Sequence, residues 1–283
     1  MSDQPDGAKA SITRLYNQVA PRYGRVGPDP FAMAGERLVR RVGIVEGSRV
    51  LDVAVGRGAN LFPAAERVGH MGRVVGIDLA ETMLLETAAD IQRRALPQAN
   101  VMRMDAERLE FEAESFDVVL CGFALFLFPH LDQALSEFSR VLRDGGALGI
   151  TLGHHTDALS HWYGERLTDL AERYQFPLNA SGRVADLSTL PTQLARAGFV
   201  AVRELYEPMN VVYADAQQWW DAKWTHGTRY SLEHMPPSVL WQFKAEVFAR
   251  LRDERQPDGI HEAWALRFIL ATRGKSAGSS ATS

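Results

Sequence analysis

Three aspartates stand at or near the ends of successive apolar runs, where their carboxylates can bind a ligand. Asp52 lies within SRVLDVAV, Asp78 closes GRVVGID, and Asp105 follows ANVMRM. A carboxylate at the position of Asp78 can accept both hydroxyls of a ribose, and one at Asp105 can accept a hydrogen bond from an adenine amino group. Each aspartate alone could equally be a helix N-cap, but three in succession favour an adenosine-containing ligand.

The glycines of the DVAVGRG segment narrow the choice of ligand. Gly56 and Gly58 follow the first apolar run, and glycine lets the backbone approach a ligand closely. A dinucleotide fingerprint needs a third small residue, but Leu61 occupies that position. The full phosphate-loop pattern Gly-x-x-x-x-Gly-Lys-Ser/Thr is also absent from the sequence. S-adenosylmethionine contains no phosphate and therefore fits this pattern better than a dinucleotide or a nucleoside triphosphate.

Two adjacent histidines, His154 and His155, are the candidates for a general base. They follow the apolar run GALGITL, and the carboxyl end of that strand would face the methyl group. Methyl transfer is an in-line displacement in which alignment supplies much of the rate, so a base matters only when the acceptor arrives protonated. His226 is a weaker candidate. The histidines are not spaced as a metal-binding set, and we expect no metal ion.

Aromatic residues are concentrated outside the core runs, which favours a flat or hydrophobic acceptor. We expect the acceptor pocket to be formed by Phe123, Phe126, His154, Trp162, Trp220 and Trp224. Core packing is the alternative role for about half of these aromatic residues and their neighbours. We also predict that residues 11–31 and 213–241 form a mobile cover that excludes water from the pocket.

The elements that must position these residues alternate between short apolar runs and amphipathic stretches from about residue 48 to residue 151. The apolar runs predict buried parallel strands, and residues such as Leu135, Phe138 and Val141 recur at helical spacing. This alternation predicts an α/β fold with a doubly wound, Rossmann-like sheet and right-handed crossovers. The turn Asp144-Gly145-Gly146 is expected to end a helix before the next strand.

The remainder of the chain is predicted to decorate this core. The parts expected in chain order are an N-terminal helical segment (1–45), a main domain (46–273), helical insertions within it (about 157–190 and 213–256) and a disordered tail (274–283). Strands are predicted near residues 200–206 and over residues 263–272. The main domain is therefore interrupted by two helical segments.

Composition argues against several classes of function. The formal net charge of −4 provides no basic surface for nucleic acid, so a nucleic-acid partner is not expected. No stretch reaches the ~20 apolar residues that a membrane-spanning helix needs. The single cysteine, Cys121, excludes an internal disulfide and suits a reducing compartment, so a cytoplasmic location is expected.

Residues 48–153, taken as an ordered set of segments, resemble the core of class I S-adenosylmethionine-dependent methyltransferases. VLDVAVGRGAN corresponds to the first motif, VVGIDLAETML to the ribose-binding segment and MRMDAERLEF to the adenine-binding segment. FDVVLCGFALFLF and RVLRDGGALGITL match the fourth and fifth strands. LYNQVAPRYGRV is similar to the opening of the ubiquinone/menaquinone-biosynthesis type, where that segment folds over the cofactor. The resemblance implies seven strands, of which the last is antiparallel.

The resemblance also implies which residues contact S-adenosylmethionine and its product, S-adenosylhomocysteine. The contacts carried over are Asp52, Ala54, Gly56 and Gly58 for the methionine half, Asp78, Leu79 and Met83 for ribose and adenine, Asp105 and Ala106 for the adenine edge, Gly122 for the amino end, and Tyr16 and Tyr23 from the N-terminal segment. Two residues depart from the family pattern: Ala54, where glycine is usual, and Arg57, where a small hydroxyl residue is common. The three acidic positions, Asp52, Asp78 and Asp105, are kept, so cofactor binding is expected.

The activity implied by the resemblance is methyl transfer to a small aromatic or hydrophobic molecule of secondary metabolism, with oxygen or nitrogen as the favoured acceptor atom. The main alternative is carbon methylation of a prenyl chain or alkene, where aromatic rings would stabilise a carbocation. A scaffold that binds the cofactor without turnover is a second alternative, because fold does not fix function. RNA methylation is disfavoured by the absence of a basic stripe.

Overall fold

The computed structural model describes residues 5–180 and 187–275 of the chain. Within these residues seven strands form one sheet in the order β3-β2-β1-β4-β5-β7-β6. The strands are β1 (Arg49–Val53), β2 (Arg73–Asp78), β3 (Ala99–Arg103), β4 (Phe116–Gly122), β5 (Leu142–His155), β6 (Phe199–Tyr213) and β7 (Ile260–Arg273). The predicted Rossmann-like α/β fold with an antiparallel last strand is confirmed.

Helices separate most of the strands. They are α1 (Pro5–Val19), α2 (Pro30–Arg41), α3 (Leu61–Val68), α4 (Glu81–Arg93), α5 (Leu131–Val141), α6 (Ala158–Tyr174), α7 (Leu190–Arg196), α8 (Ala216–Lys223), α9 (Arg229–His234) and α10 (Pro237–Asp253). The predicted N-terminal helices and the helix near residues 157–175 are confirmed by α1, α2 and α6. On α5, Leu135, Phe138 and Val141 are fully buried, as their spacing predicts.

β1 is the strand that places the candidate cofactor residues. It is buried except for Arg49, and it pairs in parallel with β2 on one side and β4 on the other. Val53 at its end is in register with Ile77 and Cys121. Because the three strands run in the same direction, their carboxyl ends share one edge of the sheet. That edge brings Asp78 and Gly122 beside the turn that follows β1.

Two predicted boundaries are wrong. The Asp144–Gly146 turn does not separate α5 from the next strand; it lies inside β5, which begins directly after the helix. Gly145 has a φ of +73°, which glycine adopts without strain. The pairing of β5 with β4 shifts register between Phe116 and Val118, so Gly145 forms part of a local bulge. β6 also runs on to Tyr213 instead of ending near residue 206, since its Pro208 is tolerated on the edge strand of a sheet.

The described residues form two compact units. The core unit comprises residues 31–152, 187–205 and 267–275, and the helical unit comprises residues 5–30, 153–180 and 206–266. The core unit holds β1 to β4, most of α2, and α3 to α5. Its interior is built from buried aliphatic and aromatic side chains, which include Leu51 and Val53 of β1 and Val119 of β4. The helical unit holds α1, α6 and α8 to α10. Although residues 1–45 were predicted as one segment, nearly all of α2 belongs to the core unit.

Two expectations concern the membrane and the end of the chain. No helix in the described ranges is both long enough and apolar enough to cross a membrane. The predicted disordered tail falls mostly on residues 276–283, which lie outside the described residues.

Candidate active site

The turn after β1 is wound tightly by its own backbone. Val55 N–H donates to the carbonyl oxygen of Ile77 at 2.9 Å, and Gly58 N–H donates to that of Val55 at 2.8 Å. Gly56 and Gly58 have φ angles of +50° and +81°, a region that glycine adopts without strain. A Cβ on Gly58 would lie only 2.5 Å from the Phe62 ring. Both predicted glycines therefore spare this turn backbone strain, and Gly58 also leaves room for the Phe62 ring.

Ala54 adopts the same left-handed region with a φ of +54°. For a residue with a Cβ this conformation costs roughly 1–2 kcal/mol. The departure from glycine that the sequence revealed at this position is thus accommodated as local backbone strain, which is typical of ligand-binding turns.

Asp78 uses both of its carboxylate oxygens to organise this edge of the sheet. Oδ2 accepts the N–H of Gly56 and Oδ1 accepts the N–H of Ala80, each at 2.9 Å. Burial raises the pKa of the Asp78 carboxyl above its usual 3.8, and the two backbone hydrogen bonds oppose that rise. A carboxylate has about four acceptor positions. Asp78 therefore serves the turn and the start of α4 and still has capacity to accept ribose hydroxyls.

Asp52 is fully buried under the turn. Its Oδ1 accepts a hydrogen bond from Asn60 Nδ2 at 2.9 Å, while its Oδ2 has no hydrogen-bond partner among the described residues. Burial raises the pKa of this carboxyl to about 7, although the bond from Asn60 opposes the shift. A Cβ on Gly122 would lie 2.9 Å from Asn60 Nδ2, so the end of β4 approaches the same amide. A buried acceptor without a partner needs an explanation, and a contact with a ligand is one.

The other predicted cofactor residues of the core unit lie along the next two strand ends. Leu79 is partly exposed, whereas Met83 on α4 is buried. Asp105 follows β3, and its Oδ1 accepts the N–H of Glu107 at 3.0 Å. Ala106 is 8% exposed. Asp105 thus stabilises the loop after β3 by a hydrogen bond to the backbone, as Asp78 stabilises the turn after β1.

Arg57 is a residue of this site whose role the sequence did not reveal. Its side chain is 7% exposed and forms ion pairs with Asp90 at 2.7 Å and Glu86 at 3.2 Å, both on α4. Thr87 Oγ1 of the same helix donates to the carbonyl oxygen of Gly56 at 2.8 Å. The arginine replaces the small hydroxyl residue of the family pattern and fastens the turn to α4. Its partners lie roughly thirty residues away, so no local signal marks it.

The arrangement fits S-adenosylmethionine. No atom lies within 4 Å of a Cβ built on Gly56, so the turn is open on that side. Asp52 offers an unpartnered carboxylate oxygen for an ammonium group, and Asp78 offers acceptors for ribose hydroxyls. These groups match the amino acid and the ribose of the cofactor.

The remaining predicted site residues are divided between the two units. Tyr16 and Tyr23 belong to the helical unit, where their ring centroids lie 6.3 Å apart. Phe123 and Phe126 belong to the core unit, and the Phe123 ring meets that of Phe31 edge-on at 5.2 Å.

The predicted tryptophans and histidines lie in the helical unit and differ in burial. Trp220 is 4% exposed, whereas Trp162 and Trp224 are partly exposed. His154 is exposed and His155 is partly buried. The structure therefore distinguishes two histidines that the sequence could not separate.

A buried ion pair beside His155 was missed by the sequence analysis. Lys223 Nζ donates to Glu262 Oε1, and Glu262 also accepts hydrogen bonds from Tyr213 at 3.1 Å and from Ser160 at 3.4 Å. The lysine and the acid are 39 residues apart in the chain. Only folding brings α8 and β7 together, and a lone charged residue in an apolar stretch carries no pairing signal.

Similarity to known proteins shows which family the chain belongs to. Residues 50–146 match the family described as methyltransferase domain. Nocamycin O-methyltransferase of Saccharothrix syringae is 34% identical over 274 residues, which cover 90% of this chain and 96% of the relative. The chain belongs to the S-adenosylmethionine-dependent methyltransferases. Its cofactor is S-adenosylmethionine, and its activity is methyl transfer.

Other methyltransferases are similar over shorter stretches. Aklanonic acid methyltransferase of Streptomyces sp. strain C5 is 39% identical over 148 residues, covering 52% of this chain and 67% of that relative. Demethylmenaquinone methyltransferase of Lactococcus lactis is 30% identical over 208 residues, covering 68% and 82%. The crystal structure of YcgJ from Bacillus subtilis is 17% identical with a TM-score of 0.59, covering 86% of this chain and 100% of that one. The resemblance to the menaquinone-biosynthesis type is confirmed, and the structural match shows the shared fold.

Proposed function

We propose that this methyltransferase methylates an acidic oxygen of a small, hydrophobic molecule of secondary metabolism. The observation that carries the proposal is the similarity to nocamycin O-methyltransferase over 90% of the chain, which extends well beyond the cofactor segments. A second relative is named for its action on aklanonic acid. Carbon methylation has weaker support, since the relatives named as C-methyltransferases are 29% identical over 70% of this chain. A scaffold without turnover is not favoured, because the relatives reported above are named as methyltransferases.

The core unit would hold the cofactor. Asp78 is proposed to accept the ribose hydroxyls, Asp52 to accept the ammonium group, and Asp105 to accept the adenine amino group. When bound, the cofactor supplies an electrophilic methyl group on a positively charged sulfur. The chain's contribution is orientation. Alignment of the reacting atoms lowers the activation barrier by several kcal/mol, and by about 7–11 kcal/mol in favourable cases.

The helical unit would contribute acceptor contacts. Trp162 and Trp224 are proposed to contact the apolar body of the acceptor. His155 is favoured over His154 as the base, because its ring lies next to a buried carboxylate while His154 is exposed. Burial lowers the pKa of His155 to about 4, so the ring is neutral near pH 7 and suits an acidic hydroxyl.

A small-molecule partner and a cytoplasmic location are also proposed. The net charge of −4 supports a small molecule, not a nucleic acid, as the partner. The lone, buried thiol of Cys121 supports a cytoplasmic location.

A methyl-transfer assay tests the acceptor class. The protein is incubated with S-adenosylmethionine labelled in its methyl group and with four acceptors of similar size: an aromatic carboxylic acid, a phenol, an aniline and a prenyl alkene. We expect label in the acid or the phenol; alkali releases labelled methanol from a methyl ester but not from a methyl ether. Labelling of only the amine or the alkene would contradict the proposal.

A further inference from the structure

The buried ion pair of Lys223 and Glu262 has no role in cofactor binding as described. Their side chains are 6% and 1% exposed. Lys223 Nζ also lies 4.2 Å from the centre of the Trp219 ring, so the ammonium is enclosed by apolar surface as well. Removing two charges from water is costly, and such a pair is a weak source of stability. A functional reason for keeping it lies in its neighbour, His155.

His155 directs one ring nitrogen at this pair. Its Nδ1 lies 3.8 Å from Glu262 Oε1, is buried, and has no hydrogen-bond partner among the described residues. The side chain as a whole is 33% exposed, so its accessible surface belongs to atoms other than Nδ1. The ring packs on Trp264 with a centroid separation of 4.0 Å, which fixes its plane. An Nδ1–H is attracted to the carboxylate, and that tautomer leaves the lone pair on Nε2.

The backbone holds the two residues together. Thr156 N–H, next to His155, donates to the carbonyl oxygen of Ala263 at 2.8 Å. A second hydrogen bond joins the same segments, since Asp157 Oδ2 accepts the N–H of Ala263 at 3.0 Å. The residues that follow His155 and Glu262 in the chain are therefore bonded to each other from both sides. This fixes the approach of the imidazole to the carboxylate.

We propose that Glu262 is a positioning residue for His155, and that Lys223 keeps Glu262 ionised. This inference rests on the proposed function, because it assigns the proton acceptor for oxygen methylation. His155 Nε2 takes the proton of the acceptor hydroxyl, and an oxygen lone pair forms the bond to the methyl carbon. The electron pair of the broken carbon–sulfur bond stays on sulfur. Glu262 stabilises the resulting imidazolium, which later releases its proton to water.

The charges around the ring agree with this assignment. The groups that face His155 are Glu262 of β7, Lys223 of α8, Asp157 before α6, His226 after α8 and its neighbour His154. Burial is the largest influence and lowers the pKa of His155, while Glu262 opposes the shift. Lys223 holds the pKa of Glu262 at about 2 despite its burial. The carboxylate is therefore charged wherever the imidazole is neutral.

Nitrogen NMR tests the positioning role without any turnover. Spectra of the full chain labelled with ¹⁵N-histidine are recorded at pH 7 in the absence of cofactor, and His155→Asn identifies the His155 signals. We expect a protonated Nδ1 and an unprotonated Nε2. In the double variant Lys223→Met/Glu262→Gln, which removes both charges together, that tautomer should lose its dominance. A proton found mainly on Nε2 in the native chain overturns the inference.

Steady-state kinetics provide a second test of the positioning role. The double variant should lower kcat about tenfold or more, because the base is retained but not oriented, while KM and the Kd of S-adenosylhomocysteine change less than about threefold. His155→Asn should lower kcat by about 100-fold or more. The matched control is Glu246→Gln, which breaks the ion pair with Arg166 (2.7 Å) in the same unit and should leave kcat unchanged.

The outcomes separate the two proposals. A double variant that folds and keeps the native kcat overturns the positioning role, even if oxygen methylation is confirmed. If the native chain binds S-adenosylhomocysteine but methylates no oxygen acceptor, the proposed function fails, and the NMR tautomer alone then decides whether Glu262 orients His155.

Discussion

Burial of Asp52 makes the stability of the core unit depend on pH. The pKa of this carboxyl rises from 3.8 to about 7 in the folded chain. Between about pH 4 and pH 7 the unfolded chain therefore binds fewer protons than the folded one, so the free energy of unfolding falls as pH rises. The slope is at most about 1.4 kcal/mol per pH unit. Denaturant unfolding measures this at pH 4.5 and pH 7. The free energy of unfolding should fall more between these two pH values for the native chain than for Asp52→Asn.

The same carboxyl should link cofactor affinity to pH. An ammonium group at the unpartnered Oδ2 favours the ionised form, so binding of S-adenosylhomocysteine should strengthen between pH 6 and pH 8. Calorimetry in two buffers of different ionisation enthalpy should also show proton release on binding. Asp52→Asn should abolish both effects; a native affinity that is flat over this range would show that Asp52 does not meet the ligand's charge.

Asp78 is expected to serve cofactor binding and the turn at once. Asp78→Asn keeps one acceptor oxygen, so the chain should fold while the Kd of S-adenosylhomocysteine rises by about 10–100-fold, equivalent to the 1.5–3 kcal/mol of charged hydrogen bonds. The matched control is Asp117→Asn, because Asp117 likewise accepts a backbone N–H in the core unit, from Arg49 at 2.8 Å, but near the amino ends of the strands. An unchanged Kd in Asp78→Asn would reduce Asp78 to a structural residue.

At the scale of elements, Trp220 on α8 and Trp224 at its C-terminal cap differ in burial, and different roles are expected of them. The Trp220 ring lies 6.1 Å from Phe243, 6.3 Å from Phe248 and 6.4 Å from Trp224, centroid to centroid. Trp220→Ala should therefore cost about 3–5 kcal/mol in the free energy of unfolding. Trp224→Ala, at a partly exposed position, should cost less and raise the acceptor KM more than the cofactor Kd. Denaturant unfolding and steady-state kinetics of both variants test this, and native stability of Trp220→Ala would refute the packing role.

For the whole molecule, the mobility of residues 11–31 and 213–241 stays a prediction that hydrogen exchange can test. Amides of these residues should exchange faster than those of α5 in the free protein, and should slow when S-adenosylhomocysteine and acceptor are added together. Amides of α5, whose apolar face is fully buried, should not change. Protection equal to that of α5 without ligands would mean that both segments are fixed structure.

The sequence by itself determined the sheet core, because its signals are local. It also marked most of the candidate cofactor residues, whose contacts with the cofactor stay a prediction. Short apolar runs predict buried strands, and the glycines and Asp78 mark strand ends within the same few residues. It did not determine the bulge at Gly145, since a Gly-Gly pair predicts a turn wherever it occurs.

Only the tertiary structure decided the roles of Arg57, Lys223 and Glu262. Each acts through a partner far along the chain, 33 residues from Arg57 to Asp90 and 39 from Lys223 to Glu262. A single charged residue shows no preference for a particular distant partner in sequence. Burial turns each pair into a constraint, because a charge removed from water must meet its opposite within hydrogen-bond reach.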